Sequence, residues 1–242
     1  MPVTLPLEGK IALITGATGG LGGAVVAALH NDGATIAVPH QHAGELDTLR
    51  ERQGLPADAR LHGAVVNLLD AAAVETFCND VATTHGGINI LINIAGGFAG
   101  GKPVHATDWD VWQGQLDLNL KTAVLTSRYA VPHMIARGSG AIINIGSRAA
   151  VQPSKNLAAY AASKRAVLYL TETMAAELLE QNITVNAVLP STIDTPGNRA
   201  AMPNGNFDTW VKPAEIAAVI RFLVGADARI ISGATIPVYG QS

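Results

Sequence analysis

Short apolar runs alternate with longer stretches of helical spacing along almost the whole chain. The runs predict strands buried on both faces, because they lack polar alternation and several end at glycine, asparagine or proline. The stretches between them repeat apolar residues every three or four positions, which predicts helices. The predicted strands cover residues 10–15, 35–38, 61–66, 89–94, 141–145, 184–189 and 235–238. The predicted helices cover residues 21–31, 44–53, 71–84, 108–137, 156–181 and 212–224.

This alternation of strand and helix predicts an α/β fold with a Rossmann-like, doubly wound parallel sheet of about seven strands and helices on both faces. No repeat or linker divides the chain, so residues 1–242 are expected to form a single domain. Two long irregular stretches, 96–102 and 192–206, each follow a predicted strand end. Open α/β sheets bind ligands at that edge, so both stretches are expected to serve a site.

Composition narrows the function. Hydrophobic residues make up 48% of the chain and charged residues only 14%, which suits a large core. The net charge of −3 comes without runs of like charge, so nothing indicates a nucleic-acid or membrane partner. No apolar run reaches the ~18 residues that span a bilayer, and the N-terminus lacks a signal-peptide layout, so a cytoplasmic protein is expected. Cys78 is interpreted as a buried core residue, and the scattered histidines lack metal-ligand spacing, so no metal site is predicted.

A glycine-rich turn follows the first predicted strand, in the segment Gly16-Ala-Thr-Gly-Gly-Leu-Gly22. Glycines allow the backbone to approach a pyrophosphate, and the start of the next helix supplies free N–H groups and positive potential. A strand, this turn and a helix in succession predict a dinucleotide-binding site.

Tyr160 and Lys164 lie four residues apart on a predicted helix and therefore share a face. A phenol has an ordinary pKa of about 10, and a nearby ammonium group favours its ionised form. Such a pair suits general acid–base catalysis near neutral pH. The same spacing also occurs on exposed helix faces that have no catalytic role, so the pair alone decides nothing.

These motifs together resemble those of the short-chain dehydrogenase/reductase family, in the same order and register. They are Thr15-Gly16-x-x-x-Gly20-x-Gly22, Asn93-Ile-Ala-Gly96 (with Ile94 as a departure), Asn119, Ser147 and Tyr160-x-x-x-Lys164. The resemblance implies an NAD(P)-dependent enzyme that reduces a ketone or aldehyde, or oxidises a secondary alcohol, with Tyr160 as general acid/base. It implies that Ser147 bonds the substrate oxygen, Lys164 the ribose hydroxyls and Asn119 a water. Relatives assemble through the two long helices, so a homotetramer or homodimer is expected.

The resemblance also implies which residues bind the cofactor. They are Thr15, Gly16, Thr18, Gly20, Leu21, Gly22, His40, Gln41, Asn67, Leu68, Asn93, Ala95, Gly96, Tyr160, Lys164, Pro190, Ile193 and Thr195. NAD-preferring relatives carry an acidic residue after the second strand, where this chain has His40 and Gln41. These neutral side chains tolerate a 2′-phosphate better than a carboxylate does, which favours NADP over NAD. The other interpretation is that His40 and His42 lie in a solvated loop.

The segments 95–101 and 188–203, with Phe207 and Trp210, resemble a narrower group, the dihydropteridine reductases. Reduction of a quinonoid dihydropterin is therefore an alternative function, although Ser147 favours a ketone/alcohol pair. A third hypothesis is a dinucleotide-sensing protein without catalysis. The candidate substrate residues are Phe98, Arg148, Arg199, Met202 and Trp210. Surface pairing of Arg148, helix capping by Arg199, and lid or interface packing by Trp210 are the structural alternatives.

Overall fold

A parallel sheet forms the centre of the molecule. The structure is a computed structural model and describes residues 5–57 and 60–241. The strands are β1 (Ile11–Thr15), β2 (Thr35–His40), β3 (Leu61–Val65), β4 (Ile90–Asn93), β5 (Gly140–Ile145), β6 (Ile183–Pro190) and β7 (Thr235–Val238). Their order across the sheet is β3-β2-β1-β4-β5-β6-β7. The predicted doubly wound sheet is confirmed. Burial on both faces holds for the central strands but not for the edge strand β3, where Val65 is 60% exposed.

Helices cover both faces of this sheet. They are α1 (Gly20–Asn31), α2 (Glu45–Gln53), α3 (Ala71–His85), α4 (Trp109–Leu116), α5 (Thr122–Arg137), α6 (Ala158–Leu178), α7 (Pro196–Ala201) and α8 (Pro213–Leu223). One apolar layer joins the sheet to α1 and α8, and the other joins it to α3, α5 and α6. Cys78 lies in the second layer, and burial raises the pKa of its thiol to about 12. It is therefore a core residue, as predicted.

Besides shifts of one residue at several helix ends, the helices differ from the prediction in three places. The stretch 108–137 is not one helix, because a wider π-helical turn at Asp117–Lys121 separates α4 from α5. The stretch 156–181 becomes α6 only at Ala158, since Asn156 adopts a φ of 64° that no helix accepts. The stretch 192–206 contains α7, whose first turn is capped by the hydroxyl of Thr195.

The carboxyl ends of three strands meet in register. Thr15 of β1 lies opposite Asn93 of β4, and Asn93 lies opposite Asn144 of β5. The chain runs outward in opposite directions from β1 and β4, which makes the crevice between them the topological switch point where such sheets bind ligands. Within residues 5–57 and 60–241, no helix combines the length and apolarity needed to cross a membrane.

Candidate active site

The loop after β4 is fastened to the end of β1. The hydroxyl of Thr15 accepts hydrogen bonds from the backbone N–H groups of Ile94 and Ala95, each at 3.1 Å. Thr15 is buried, so these two amides would otherwise lack a partner in the crevice. The side chain therefore fixes the wall of the crevice opposite the glycine-rich turn.

Three glycines of the glycine-rich turn have no room for a side chain. Gly16 has a φ of +65°, and a Cβ there would lie 2.7 Å from the backbone nitrogen of Ala95. A Cβ on Gly22 would lie 2.1 Å from the carbonyl oxygen of Gly16, and one on Gly20 would lie 2.7 Å from Cγ2 of Thr195. The N-cap residue of α1 is Gly19, which has no side chain to cap the helix. The first N–H groups of α1 are therefore left without a side-chain acceptor beside the turn. The bare backbone and helix start fit a pyrophosphate.

The residues beyond β2 and β3 frame the other end of the crevice. The ring of His40 is buried, and its Nδ1 lies 3.0 Å from the carbonyl oxygen of His42, so the solvated-loop interpretation is wrong for His40. Gln41 is exposed, and its N–H donates to Oε2 of Glu45 at 2.9 Å. Sequence reasoning missed this carboxylate, which lies five residues after His40, the expected selector position. Beyond β3, Asn67 is exposed and Leu68 half-buried.

Ser147 and Tyr160 come together at the end of β5. The hydroxyl of Ser147 accepts from the N–H of Ala149 at 3.2 Å and is also hydrogen-bonded to the phenol of Tyr160, in the first turn of α6. Burial raises the pKa of Tyr160 above its ordinary value, and the hydrogen bond to Ser147 offsets part of this rise. The predicted lowering of the phenol pKa is therefore wrong for the protein groups alone.

Lys164 lies one turn further along α6 and is only 5% exposed. Its ammonium group donates to the carbonyl oxygen of Ile145 at 2.8 Å, which anchors it beneath the end of β5. Burial lowers the pKa of Lys164 to about 8, because a desolvated ammonium loses its proton more easily. The lysine is thus charged at neutral pH but titrates within a unit or so of it.

Asn119 occupies the π-helical turn between α4 and α5. Its amide bonds both backbone groups of Gly97, with Oδ1 accepting from the N–H at 3.0 Å and Nδ2 donating to the carbonyl at 3.0 Å. Nδ2 also donates to the hydroxyl of the buried Ser163 at 3.1 Å. A Cβ on Gly96 would lie 2.6 Å from Oδ1 of Asn119 and 3.2 Å from Nζ of Lys164, so Gly96 separates these two groups.

Two supporting residues escaped the sequence reasoning. Gln115 lies one helical turn before Asn119, and its Oε1 accepts from the N–H of Ala99 at 3.1 Å. Ser163 directly precedes Lys164 and bonds Asn119 from α6. Gln115 and Asn119 are four residues apart and therefore share a helix face, so this spacing could have predicted that Gln115 lies beside Asn119.

The side chain of Asn93 turns into the core rather than toward the crevice. Its Nδ2 donates to Oδ1 of Asn144 at 2.8 Å, and its Oδ1 accepts from the hydroxyl of Thr126 at 2.6 Å. Asn144 in turn donates to Thr171 at 2.9 Å. All four residues are buried and mutually hydrogen-bonded, so this network links β4 and β5 to α5 and α6.

The candidate substrate residues divide into two groups. The ring of Phe98 is 64% exposed and meets the ring of Tyr160 edge-on, with centroids 5.1 Å apart. Met202 is 43% exposed at the end of α7. Trp210 is instead buried and packs edge-on against Phe207, with centroids 4.8 Å apart, which supports lid packing. The guanidinium of Arg148 lies over the ring of Tyr239, 5.7 Å from its centroid.

Arg199 does not cap α7 but is paired with a neighbouring acidic side chain. Its guanidinium makes two hydrogen bonds to the carboxylate of Asp194, at 2.5 and 2.9 Å, and Lys212 donates to the same carboxylate at 2.6 Å. These two cations hold the pKa of Asp194 well below its usual range. The guanidinium also lies over the ring of Phe207, at 4.6 Å. Arg199 therefore ties the segment after β6 together instead of capping α7, and its role as a substrate residue stays a prediction.

The end of β6 closes the site. Pro190 is buried as the last residue of β6, and the carbonyl of Ile193 accepts from the side-chain amide of Asn198 at 2.8 Å. Thr195 starts α7 and contacts Gly20. Among the described residues, no group of three or more His, Cys, Asp or Glu side chains is arranged to hold a metal ion.

Known proteins are similar to this chain in both sequence and fold. The family model described as short chain dehydrogenase matches residues 10–205. A 3-oxoacyl-(acyl-carrier-protein) reductase of Thermotoga maritima is 33% identical over 246 residues, which cover 97% of this chain and 98% of the relative. The 2,3-dihydro-2,3-dihydroxybenzoate dehydrogenase of Bacillus subtilis is 31% identical, covering 92% and 91%.

Solved structures agree with these relatives. A short-chain dehydrogenase/reductase from Serratia marcescens has a TM-score of 0.88 at 31% identity, covering 98% of each chain. A blue fluorescent protein from a metagenomic library, solved in complex with NADPH, has a TM-score of 0.85 at 30% identity, covering 98% of each chain. The fold and these relatives define a nicotinamide-dependent oxidoreductase. The chain belongs to the short-chain dehydrogenase/reductase family.

Proposed function

We propose that the protein transfers hydride between NADP and a ketone or aldehyde, or the corresponding alcohol, with Tyr160 as general acid/base. The observation that carries this proposal is the convergence of Ser147, Tyr160 and Lys164 at the end of β5. The buried ammonium of Lys164 donates to the carbonyl oxygen of Ile145 at 2.8 Å, and the hydroxyl of Ser147 offsets part of the rise in the pKa of Tyr160. This group stands at the same sheet edge as the bare backbone between Gly16 and Gly22. A proton donor and a cofactor cradle at one edge suit coupled proton and hydride transfer.

In the reducing direction, the phenol of Tyr160 donates its proton to the carbonyl oxygen of the substrate. The hydroxyl of Ser147 donates a hydrogen bond to the same oxygen and disperses the negative charge that develops there. When bound, the nicotinamide supplies the hydride or accepts it in the reverse direction. The charge on Lys164 stabilises the phenolate that the donated proton leaves behind.

The cofactor is proposed to lie along the crevice from the glycine-rich turn to α6. The N–H groups at the start of α1 would bind its pyrophosphate, and Lys164 would bind ribose hydroxyls. Thr195 contacts Gly20 and is placed to bind the pyrophosphate or carboxamide. Asn119 is proposed to hold a water in the path of the proton, supported by its position between Gly97 and Ser163.

Replacement of Tyr160 tests the catalytic role. Tyr160→Phe is expected to lower kcat by about 10²–10⁴-fold, because it removes the general acid, while NADP⁺ affinity stays within about twofold. Tyr169→Phe is the matched control, since Tyr169 lies on the same helix but is 71% exposed; because α6 is also a proposed interface helix, the mass of this control in solution is measured alongside its kcat. A Tyr160→Phe enzyme that retains most of its turnover would contradict the proposal.

The substrate class is tested by a panel of ketones, aldehydes and a quinonoid dihydropterin, each with NADPH and NADH. Ser147 supports carbonyl reduction, since polarising a carbonyl oxygen requires a hydrogen-bond donor. Turnover of the pterin alone would favour the alternative function. Tight NADPH binding without turnover across the panel would favour a sensing protein.

The protein is also proposed to form a homotetramer or homodimer through α5 and α6. Val124, Ile135 and Tyr169 on these helices are large and exposed, at 39%, 42% and 71%. Light scattering after size exclusion is expected to give a mass of two or four chains, and a mass of one chain would contradict the proposal.

A further inference from the structure

Arg52 reaches from α2 to the glycine-rich turn. Its terminal nitrogen NH2 donates to the carbonyl oxygens of Thr18, at 2.8 Å, and Gly19, at 3.0 Å. The same nitrogen lies 2.8 Å from where a Cβ of Gly23 would stand, so the bare first turn of α1 makes room for it. The side chain is exposed. A positive charge is thus held against the turn by backbone acceptors.

Those two hydrogen bonds leave most of the guanidinium for other partners. A guanidinium carries five N–H donors, and both recorded bonds come from one terminal nitrogen. Among the ion pairs formed within residues 5–57 and 60–241, none includes Arg52. By contrast Arg50, on the same helix, is paired with Asp47 at 3.1 Å. Arg52 therefore has a positive charge without an ion-pair partner among the described residues, and further N–H donors, beside the turn.

The other residues expected beside the adenosine ribose, at the turn and after β2, offer no such cation. Gly19 has no side chain, His40 is bonded to the carbonyl of His42, and Gln41 is neutral. The opposing charge is Glu45, whose Oε2 already accepts from the N–H groups of Gln41, at 2.9 Å, and of His42, at 3.4 Å.

In a doubly wound dinucleotide fold, the adenosine ribose lies between the first glycine-rich turn and the end of the second strand. NADP differs from NAD by a phosphate on the 2′-oxygen of that ribose. A phosphate is best bound by an arginine that presents several donors in a fixed plane. The geometry points to Arg52 as the residue that binds the 2′-phosphate and selects NADP, an inference that rests on the proposed cofactor site.

Binding of NADP⁺ and NAD⁺, measured by titration calorimetry, tests this assignment without turnover. Arg52→Gln is expected to weaken NADP⁺ binding by about tenfold or more, because one charge-assisted contact is lost, and to leave NAD⁺ binding within about twofold. Arg52→Lys keeps the charge but not the planar fork, so its NADP⁺ affinity is expected to be intermediate. Arg50→Gln is the matched control on the same helix and is expected to change neither affinity.

The possible results distinguish a failure of the role assigned to Arg52 from a failure of the proposed function. Unchanged NADP⁺ affinity in Arg52→Gln would overturn the role of Arg52 while leaving the proposed function standing. A wild-type protein that binds NAD⁺ more tightly than NADP⁺ would also overturn it. A wild-type protein that binds neither dinucleotide would overturn the proposed function itself. The NAD⁺ affinity and melting temperature of Arg52→Gln show whether the turn survives the substitution, and a weakened NAD⁺ affinity would assign Arg52 a purely structural role.

Discussion

Gly96→Ala is the substitution that most directly tests the geometry of the site. The new methyl group would lie 2.6 Å from Oδ1 of Asn119 and 3.2 Å from Nζ of Lys164, whereas ordinary contact begins at 3.4 Å. Asn119 must therefore withdraw by most of an ångström, although its amide is bonded on both sides to Gly97. Misplacement of catalytic groups by about 1 Å can cost about 10²-fold in rate, so kcat is expected to fall by roughly that factor.

The same clash is expected to lower the free energy of unfolding by about 1–3 kcal/mol, the usual cost of overpacking. The assays are steady-state kinetics with the best carbonyl of the substrate panel and urea denaturation. Gly114→Ala is the control, because a Cβ there meets nothing within 4 Å and the residue lies in α4. That control is expected to keep kcat and to gain about 0.5–1 kcal/mol from helix propensity. A Gly96→Ala enzyme with kcat within twofold of wild type would refute the convergence of Asn119 and Lys164.

Three further substitutions probe separate parts of the molecule. Burial lowers the pKa of Lys164 in the folded protein to about 8, from an ordinary value of 10.5. Between pH 8 and pH 10.5, Lys164 is therefore protonated in the unfolded chain but not in the folded protein. The free energy of unfolding is therefore expected to rise from pH 8 to pH 10.5, and Lys164→Met should flatten that rise in urea titrations; an equal slope would contradict the burial. Thr15→Val leaves two amides unpaired and is expected to cost about 1–3 kcal/mol for each, whereas Thr15→Ser should cost far less by the same assay. Asp194→Asn breaks the tie to Arg199 and Lys212, so limited proteolysis between residues 192 and 210 should become faster. Because the side chains of the two cations are 49% and 46% exposed, 1 M salt should accelerate cleavage of wild type but not of the variant. Equal cleavage of both proteins in low salt would show that the tie does not hold the segment.

The sheet was predictable because its central strands are buried on both faces. A buried strand must be apolar throughout, so residues 90–93 and 141–145 stand out as unbroken runs. The shared sheet edge followed from parallel topology, which brings every strand's carboxyl end to one side. The edge strand β3 carries a weaker signal, because exposure of Val65 relaxes that requirement.

The π-helical turn around Asn119 could not be predicted from periodicity. Its extra residue per turn shifts the hydrogen bonds of the helix without changing the apolar spacing on either side. The turn aims Asn119 at Gly97, a contact 22 residues away in the sequence. Arg52 escaped for a similar reason, because it reaches Thr18 across 34 residues and an exposed arginine on a helix carries no local signal.

In the segment after β6, the role of a charged residue could not be predicted without knowing its ion-pair partners. Arg199 in a substrate loop suggests an anionic ligand, but Asp194 lies five residues before it and accepts from Nε and one terminal nitrogen of its guanidinium. Lys212 comes from the start of α8, 18 residues away, and completes the tie. The pairing depends on the fold of α7, which the composition of the stretch did not reveal. The sequence therefore located the loop but not its internal contacts.

The pKa of Tyr160 bears on the pH at which each direction of the proposed reaction can run. Sequence spacing pairs the phenol with Lys164 and predicts a lowered pKa, but burial dominates and raises it. A raised pKa keeps the phenol protonated at neutral pH, which is the form that reduction of a carbonyl requires. Ionisation as a base for alcohol oxidation then needs help, which the positive charge of an oxidised nicotinamide provides. If Tyr160 is the general acid/base, as proposed, the protein groups alone favour its protonated form, and the pH profile of alcohol oxidation should lie at higher pH than that of carbonyl reduction.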